Sequence, residues 1–337
     1  MTQYVGLDVS LKMTAVCAVD ETGDVTAEGK VASEPEALGG WLREHAPAAR
    51  RIGMETGPLA VWLWNGLKER GLPVHVIDAR HAKAGLTLQA SKTDRNDARG
   101  LAQIMRTGWF KEVRVKSTAA YLLRALLASR GMLVVTRCAL ENQIRGLLKT
   151  FGLVLGKAGR RRFEVRLREL LAAEPCLGQL VTPLLKVRRS LVEQIQTYDR
   201  CLVGIARRHA VVRRLMSVPG VGAVTAVAFV AAIDDPSRFR RSRHVGAYFG
   251  LVPRRYQSGE VDRPGRISKA GDQLVRTLLY EAANALLTRS RQRSALKAWA
   301  EAIAARCGHK KAKVALARKL AVMLHRLWRD GTAFVPA

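Results

Sequence analysis

The chain has 337 residues, and at about 150 residues per domain this length predicts two domains rather than one. It carries 57 Lys and Arg against 28 Asp and Glu, and the resulting net charge of +29 predicts a polyanionic partner. A hydrophobic content of 48% excludes a disordered basic tail, and no uninterrupted apolar run approaches the roughly 20 residues of a membrane span.

The first hundred residues alternate between strand and helix patterns. Apolar runs at 4–9, 14–19 and 25–31, with turn residues at 20–24, predict a three-stranded meander. The patterns that follow predict a helix over 35–45, a strand over 51–54, a helix over 59–70, a strand over 74–77 and a helix over 94–106. We therefore expect an α/β domain with a mixed sheet.

From residue 118 the apolar period changes. Leu and Val recur at spacings of three and four over 118–150 and 160–210, which predicts two or more long amphipathic helices. These helices fit a helical hairpin, a coiled coil between protomers, or an intramolecular bundle. The longest apolar run, 221–233, predicts a buried helix, and the chain ends in a basic helix over 310–329. We predict three domains: 1–112, 113–212 and 213–337.

The excess charge is confined to one part of the chain. Residues 1–110 hold 13 basic and 13 acidic side chains, so the other 227 residues account for the whole +29. Arginine and lysine cluster there at 160–162, 188–189, 207–208, 213–214, 238–241 and 310–311. Arginine predominates and suits bidentate phosphate contacts. Aromatic residues make up only 6%, which favours backbone contacts with duplex DNA or folded RNA over base stacking.

Four acids in the neutral segment are candidate metal ligands. Asp8 lies in the first strand, Glu55 ends a later strand, and Asp94 and Asp97 are three residues apart at the start of a helix. Clustered carboxylates repel one another unless cations neutralise them, and Mg²⁺ ions would do so while clamping the oxygens of a phosphodiester. Taken singly, Asp8 also fits a turn residue, Glu55 a surface acid, and Asp97 with Thr93 a helix cap.

Residues 253–269 place a serine among cations. Two prolines and two glycines predict an irregular, exposed loop around Ser258. Five basic residues surround it: Arg254, Arg255, Arg263, Arg266 and Lys269. A nucleophilic serine needs a base or a metal, and no histidine lies nearby, so spacing alone favours a solvated turn. Ser268 fits the N-cap of the following helix.

The segment 215–226 is similar to a helix-hairpin-helix turn. In such turns Gly220 and Gly222 would present backbone N–H groups to a nucleic-acid phosphate. The same turn also fits simple packing of two helices. It lacks the third glycine and the preceding strand of a dinucleotide-binding motif, which argues against a nicotinamide cofactor. The five scattered cysteines argue against a zinc site or disulfides, and the N-terminus against a secretory signal.

Motifs along nearly the whole chain resemble one family. They are YVGLDVS at 4–10, METG at 54–57, KTDRNDA at 92–98, VPGVG at 218–222, SG at 258–259 and GRISK at 265–269. In this order they resemble the DEDD transposases of bacterial insertion sequences (insertion sequence 110 family), which are bridge-RNA-guided DNA recombinases. The resemblance implies a RuvC-like domain of RNase H fold, a coiled-coil middle and a mainly α-helical C-terminal transposase domain.

The resemblance also implies a chemistry. Asp8, Glu55, Asp94 and Asp97 would bind Mg²⁺, with Mn²⁺ as an alternative ion, and Ser258, or Ser268 in reserve, would form a phosphoserine with DNA. The implied partners are donor and target duplex DNA, a structured non-coding guide RNA and a homo-oligomer, dimer or tetramer. We expect a bacterial cytoplasmic protein that acts at the nucleoid and not at a membrane. Two alternatives stay open: a RuvC-like hydrolytic junction endonuclease and a non-catalytic architectural protein.

Overall fold

The computed structural model describes residues 1–87, 91–156, 159, 162–290 and 294–335. The chain divides into two compact units, Met1–Lys116 and Ser117–Ala337. Within the described residues, the first unit contains β1 (Gln3–Val9), β2 (Met13–Val19), β3 (Val25–Ala32), α1 (Pro35–His45), β4 (Ala49–Glu55), α2 (Ala60–Glu69), β5 (Val74–Ile77), α3 (Ala79–Leu86) and α4 (Asp94–Thr107).

The strands of the first unit form one mixed sheet in the order β3-β2-β1-β4-β5. The predicted meander is confirmed, because β1 pairs antiparallel with β2, and β2 with β3. The pairs β1–β4 and β4–β5 are parallel, so the sheet is mixed. Helix α3 was not predicted. The mixed α/β sheet and the helical second unit are consistent with an RNase H-like DEDD domain followed by a helical region.

Both faces of this sheet are covered by helices. Side chains alternate between the two faces of a strand, so each strand contributes to two cores. On one face β1 and β4 pack with α1 and α2, in a core that includes Leu7, Met54, Leu38 and Leu63. On the other face they pack with α4, and this core includes Leu101. A sheet buried on both sides leaves its strand ends as the exposed edge.

Among its described residues, the second unit is helical apart from one hairpin. Its described elements are α5 (Thr118–Thr150), α6 (Phe163–Leu171), α7 (Pro175–Arg208), α8 (Ala210–Leu215), α9 (Ala223–Ile233), α10 (His244–Tyr248), β6 (Pro253–Ser258), β7 (Val261–Ile267), α11 (Gln273–Thr288), α12 (Ala295–Cys307) and α13 (His309–Asp330). The predicted buried helix is confirmed, since α9 lies at the centre of the core that it shares with α8, α11 and α13. Arg160 and Arg161 of the predicted basic clusters lie outside the described residues.

Helices α5 and α7 pack side by side in opposite directions. Arg130 Nε lies 2.6 Å from Asp199 Oδ1, and Arg188 Nε lies 2.8 Å from Glu141 Oε1. As the residue numbers rise along α5 they fall along α7, so the pair is antiparallel. The structure thus contains the helical hairpin, one of the three predicted alternatives. A coiled coil between protomers remains a prediction.

Helix α5 contains no uninterrupted apolar run of membrane length, as the sequence predicted, but its average hydropathy is high. Among the described helices, it is long and apolar enough to cross a membrane by length and composition alone. Arginines such as Arg124 and Arg130 interrupt its apolar residues, so a search for uninterrupted apolar runs does not detect the helix. These arginines form ion pairs with Asp272 and Asp199, and α5 packs against α7 and α9. In this structure α5 is therefore an integral helix of the second unit.

The predicted irregular loop around Ser258 is wrong, because the segment is a β-hairpin. Strands β6 and β7 pair from their bases to Ser258 opposite Val261. Gly259 has a φ of 54° and forms a two-residue turn with Glu260, which is the role of glycine in a type II′ hairpin. One proline begins β6 and the other lies in β7. Each strand of a two-stranded sheet has an unpaired edge that tolerates a missing N–H.

The predicted cap by Ser268 is also wrong. Helix α11 begins later, with Asp272 as its N-cap, whose carboxylate accepts a hydrogen bond from Val275 N at 3.1 Å. Lys269 and Gly271 have φ values of 54° and 73°. This left-handed backbone is incompatible with the first turn of a right-handed helix, so the chain turns before the helix starts.

Candidate active site and nucleic-acid surface

Asp8 and Glu55 occupy equivalent positions on neighbouring parallel strands. In the β1–β4 ladder Gly6 is paired with Gly53. Each acid comes two residues after its glycine and therefore lies on the same face of its strand. This is the face that α4 covers. The two acids thus stand next to each other towards the ends of β1 and β4.

The paired glycines let α4 lie directly on the sheet. A Cβ atom on Gly6 would stand 2.1 Å from the carbonyl oxygen of Ala98, and one on Gly53 would stand 2.4 Å from Met105 Sδ. A side chain at Gly6 would collide with the helix backbone, so the close approach requires glycine there. Glycine in β1 therefore fixes the position of the first turns of α4 above the strand ends.

The first turn of α4 carries the other two acids. Thr93 is the N-cap, and its side chain accepts a hydrogen bond from Asn96 N at 3.1 Å. Asp94 is exposed and Asp97 is buried. The cap accounts for the threonine at position 93. It does not account for Asp97, because burying a carboxylate is unfavourable unless a partner compensates its charge.

The four acids form one electrostatic group. Burial raises the pKa of Asp8, and the charges of Asp97 and Asp94 raise it further, while Lys92 opposes them. Burial likewise raises the pKa of Glu55, and the charges of Asp8 and Asp97 add to the effect. The structure therefore brings the sequence-predicted acids near enough to repel one another.

Such a group is chemically suited to a hard divalent cation. Mg²⁺ takes carboxylate oxygens as ligands, and a cation would relieve the repulsion between the acids. A cavity of about 490 Å³ lies beside Asp8 and Glu55. As the side chains stand, no three His, Cys, Asp or Glu residues in the described part of the chain are arranged to hold a metal ion. The donor types fit, and the ligand assignment remains a prediction.

One residue of this site was missed from the sequence. Glu28 on β3 accepts hydrogen bonds from Arg95 Nε at 2.7 Å and from Arg99 Nη2 at 3.0 Å. Both arginines lie on α4, on either side of Asp97 along the chain. The two arginines are four residues apart and therefore lie on one helix face. This spacing is the sequence pattern that could have predicted a shared acidic partner. Glu28 therefore ties the acid-bearing end of α4 to the sheet.

Ser258 lies at the end of β6, next to the turn of the hairpin, and is exposed. Arg255 reaches across the hairpin, and its Nε donates to Asp262 Oδ1 at 2.8 Å. Arg254 Nη2 donates to the carbonyl oxygen of Ser268 at 3.1 Å. These two arginines stabilise the hairpin as well as adding charge to it. Their assignment to nucleic-acid binding, together with that of Arg263, Arg266 and Lys269, remains a prediction.

The glycines of the predicted phosphate-binding turn have different surroundings. Gly220 has a φ of 87°, and a Cβ atom there would stand 2.4 Å from the carbonyl oxygen of Ala282 on α11. Close helix packing therefore requires this glycine. Gly222 is the exposed N-cap of α9, with nothing within 4 Å of its Cβ position. The packing alternative accounts for Gly220, and phosphate binding at both glycines stays a prediction.

Two family models match the chain. One, described as "Transposase IS116/IS110/IS902 family", covers residues 212–300, and the IS110-type DEDD model, described as "Transposase", covers residues 5–152. The transposase for insertion sequence element IS1111A of Coxiella burnetii is 32% identical over 334 residues, which are 96% of this chain and 89% of that relative. The chain belongs to this family of DEDD transposases. The family predicted from the motifs is thereby confirmed.

Further relatives of the transposase agree with this assignment. A protein of Pseudomonas aeruginosa described as "Probable family 20 transposase" is 29% identical over 338 residues and is matched over 98% of both chains. A pilin gene-inverting protein of Moraxella bovis is 34% identical over 67 residues, which are 20% of this chain. Membership of the family makes the chain a DNA-cutting and DNA-rejoining enzyme whose substrates are DNA.

Proposed function

We propose that this transposase cuts and rejoins donor and target DNA through a covalent phosphoserine, with Ser258 as the nucleophile and a divalent cation at the four acids. The observation that carries the proposal is the electrostatic group of Asp8, Glu55, Asp94 and Asp97 at one edge of the sheet. Carboxylates that repel one another destabilise the folded protein. A bound divalent cation removes this repulsion and can also contact a DNA phosphate, so the cluster fits a metal-dependent reaction on DNA.

Ser258 performs the covalent chemistry in two steps. Its hydroxyl oxygen attacks a DNA phosphorus atom, the bond from phosphorus to the bridging DNA oxygen breaks, and the serine proton passes to this released oxygen, which becomes a DNA hydroxyl. A hydroxyl of another DNA end then attacks the phosphoserine, and the serine oxygen takes a proton back. No water is consumed, so strands can be exchanged without hydrolysis. The exposed position of Ser258 at the hairpin turn supports this role.

The charged residues have two separate tasks in this scheme. Mg²⁺, or Mn²⁺ in its place, would be held by Asp8, Glu55, Asp94 and Asp97 and would supply positive charge for the entering and leaving phosphate oxygens. Arg263 and Arg266 on β7 are exposed and hold DNA phosphates along the hairpin, Arg263 closer to its tip and Arg266 next to its base.

The proposal includes two further partners. The second unit has 41 basic against 14 acidic side chains, which is enough charge for two DNA duplexes and a structured guide RNA that selects the sites by base pairing. Exposed apolar side chains on α5, Leu122, Met132 and Val135, support packing against another copy of the chain as a dimer or tetramer. The site of action is the bacterial nucleoid.

Trapping the covalent intermediate tests the proposal. The full chain is incubated with Mg²⁺, DNA carrying the element ends and RNA transcribed from the flanking DNA, and is then denatured. We expect a denaturation-resistant protein–DNA adduct that disappears with Ser258→Ala and persists with the matched control Ser268→Ala. Loss of the adduct only in Ser268→Ala would contradict the assignment of the nucleophile.

The same preparations separate the two alternative functions. A hydrolytic junction endonuclease of RuvC type would form no adduct and would still cut DNA after Ser258→Ala. A non-catalytic architectural protein would keep all its activity after Asp8→Ala and Glu55→Ala and would not need Mg²⁺. The proposal expects these two substitutions to abolish both cutting and the adduct.

A further inference from the structure

A groove of about 1100 Å³ opens in the second unit beside the base of the β6–β7 hairpin. One wall is the base of the hairpin, and the other is α12 together with one face of α13. On α13, Lys311, Val314, Arg318 and Val322 follow one another at spacings of three and four residues, so they line a single helix face. We call this feature the α13 groove.

The α13 groove is strongly cationic. Its six basic side chains are Arg266, Lys269, Lys310, Lys311, Arg318 and Lys319, and no Asp or Glu lines it. None of the six has a carboxylate partner among the residues that the structure describes. Unpaired cations on facing walls repel one another, so the groove is complementary to a chain of negative charges.

The start of α13 adds independent support. Lys310 and Lys311 stand in its first turn, which contains no acidic residue. Cations at a helix N-terminus oppose the helix dipole, so this placement is unfavourable in the free protein. A bound phosphate removes the conflict, since it attracts both the lysines and the helix N-terminus.

The groove also offers apolar surface and an aromatic ring. Trp299 of α12 is 36% exposed, and Lys319 Nζ lies 3.9 Å from the centre of its ring system. Pro264, Val314 and Val322 contribute further apolar lining. Lys319 covers one face of the ring in the free protein, so a base that stacks on this face must displace the lysine side chain. No Ser, Thr, Asn or Gln lines the groove, so its ring and its cations come without neutral side chains that read base edges.

We infer that the α13 groove binds an unpaired DNA strand, with a base stacked on Trp299 and phosphates held by the lysines and arginines of its walls. A duplex turns the faces of its bases towards each other, so only an unpaired strand can stack on the ring. The groove adjoins the base of the hairpin, and Ser258 lies at the opposite end of β6. The inference rests on the proposed function, because DNA must open for its strands to be exchanged.

Binding of labelled oligonucleotides to the full chain tests the inference. Fluorescence anisotropy is measured with a fluorescein-labelled dT 12-mer and with a 12-base-pair duplex, without Mg²⁺ so that no cutting occurs. Trp299→Leu keeps an apolar side chain and should weaken binding of the dT 12-mer by about tenfold, within the range for losing one stacked base. Binding of the duplex should change by less than about twofold.

Two further variants complete the design. The matched control Trp109→Leu removes a tryptophan that is 85% exposed in the first unit, and it should leave both affinities unchanged. Lys310→Gln combined with Lys311→Gln should lower the salt dependence of dT binding by about 0.7 in the logarithmic slope for each phosphate that is no longer neutralised. Circular dichroism of each variant checks that the fold is kept.

Each outcome bears on a different part of the inference. The inference is overturned if Trp299→Leu leaves dT binding unchanged, or if it weakens dT and duplex binding equally. A U 12-mer that binds about tenfold tighter than dT and is equally sensitive to Trp299→Leu would make the occupant RNA and would overturn the assignment to DNA. Absence of the Ser258 adduct with intact Trp299-dependent dT binding would instead contradict the proposed function alone.

Discussion

Cys17 differs from the other cysteines of the chain in its surroundings. It is buried in β2, whereas Cys138, Cys176, Cys201 and Cys307 are exposed on helices of the second unit. Burial, with the nearby Glu28 carboxylate, raises the pKa of the Cys17 thiol to about 12. The thiolate is the reactive form of cysteine. Cys17 is therefore protected from thiol reagents by its burial and by its raised pKa.

A thiol titration checks this environment. We expect a thiol reagent such as Ellman's reagent to modify the four exposed cysteines of the native protein at pH 8 and to reach Cys17 only after unfolding. The substitution Cys17→Ala should therefore leave the native count at four and lower the denatured count from five to four. A native count of five would show that β2 opens without global unfolding.

Gly6 sets the distance between β1 and α4. A methyl group there would stand 2.1 Å from the carbonyl oxygen of Ala98, so Gly6→Ala must push the helix away. We expect a loss of about 1–3 kcal/mol in the free energy of unfolding, as for other overpacked sites. Urea denaturation followed by circular dichroism measures the change.

Gly40 supplies the control for this substitution. It lies within α1, and its Cβ position has nothing within 4 Å. Gly40→Ala should leave stability unchanged or raise it by up to about 1 kcal/mol, because alanine favours a helix. Equal effects of the two substitutions would mean that the close approach of α4 does not depend on Gly6.

At the scale of elements, the ion pairs of Glu28 hold α4 against β3. The hydrogen bond from Arg99, assisted by the one from Arg95, lowers the pKa of Glu28 from 4.5 to about 2. A carboxylate whose pKa is lower in the folded state stabilises the fold above its unfolded pKa, and this contribution is lost as the pH falls. Both arginines are partly exposed, so we expect the contribution to be about 1 kcal/mol.

Glu28→Gln measures this contribution. At pH 7 the variant should unfold at a lower urea concentration than the unmodified chain. The difference between the two urea midpoints should narrow below pH 4.5 and disappear towards pH 2. Glu36→Gln is the matched control, because Glu36 pairs with Arg70 at 3.4 Å with its side chain 86% exposed. A difference that stays constant between pH 7 and pH 3 would contradict the ion-pair explanation.

Elements with regular apolar periods could be predicted from the sequence, whereas long-range pairings could not. The meander, α1 and α4 follow from local patterns of two or about 3.6 residues, and α9 follows from a continuous apolar run. The β6–β7 hairpin was missed because its strands are exposed, so no alternation of apolar residues marks them. The acids of the site were predicted from motifs, but the partnership of Glu28 with α4 depends on a fold that brings residues about 70 positions apart together.

At the scale of the whole molecule, charge separates the two compact units. Met1–Lys116 has 16 basic and 14 acidic side chains, whereas Ser117–Ala337 has 41 basic and 14 acidic ones. A surplus of fixed cations near the acids would compete with a metal ion, so the near-neutral unit is the suitable place for them. The basic unit can in turn neutralise many phosphates without adding fixed cations next to the proposed metal site.

This separation predicts different nucleic-acid affinities for the two units. Expressed separately, residues 117–337 should bind a random duplex tightly, and residues 1–116 should bind it weakly. Each neutralised phosphate contributes about 0.9 to the slope of log affinity against log salt, so the second unit should show a steep slope and the first a shallow one. Anisotropy titrations from 50 to 300 mM NaCl measure both slopes, with circular dichroism to verify folding. Equal slopes would mean that phosphate contacts are shared by the units, and the charge of +27 on the second unit would then need another explanation.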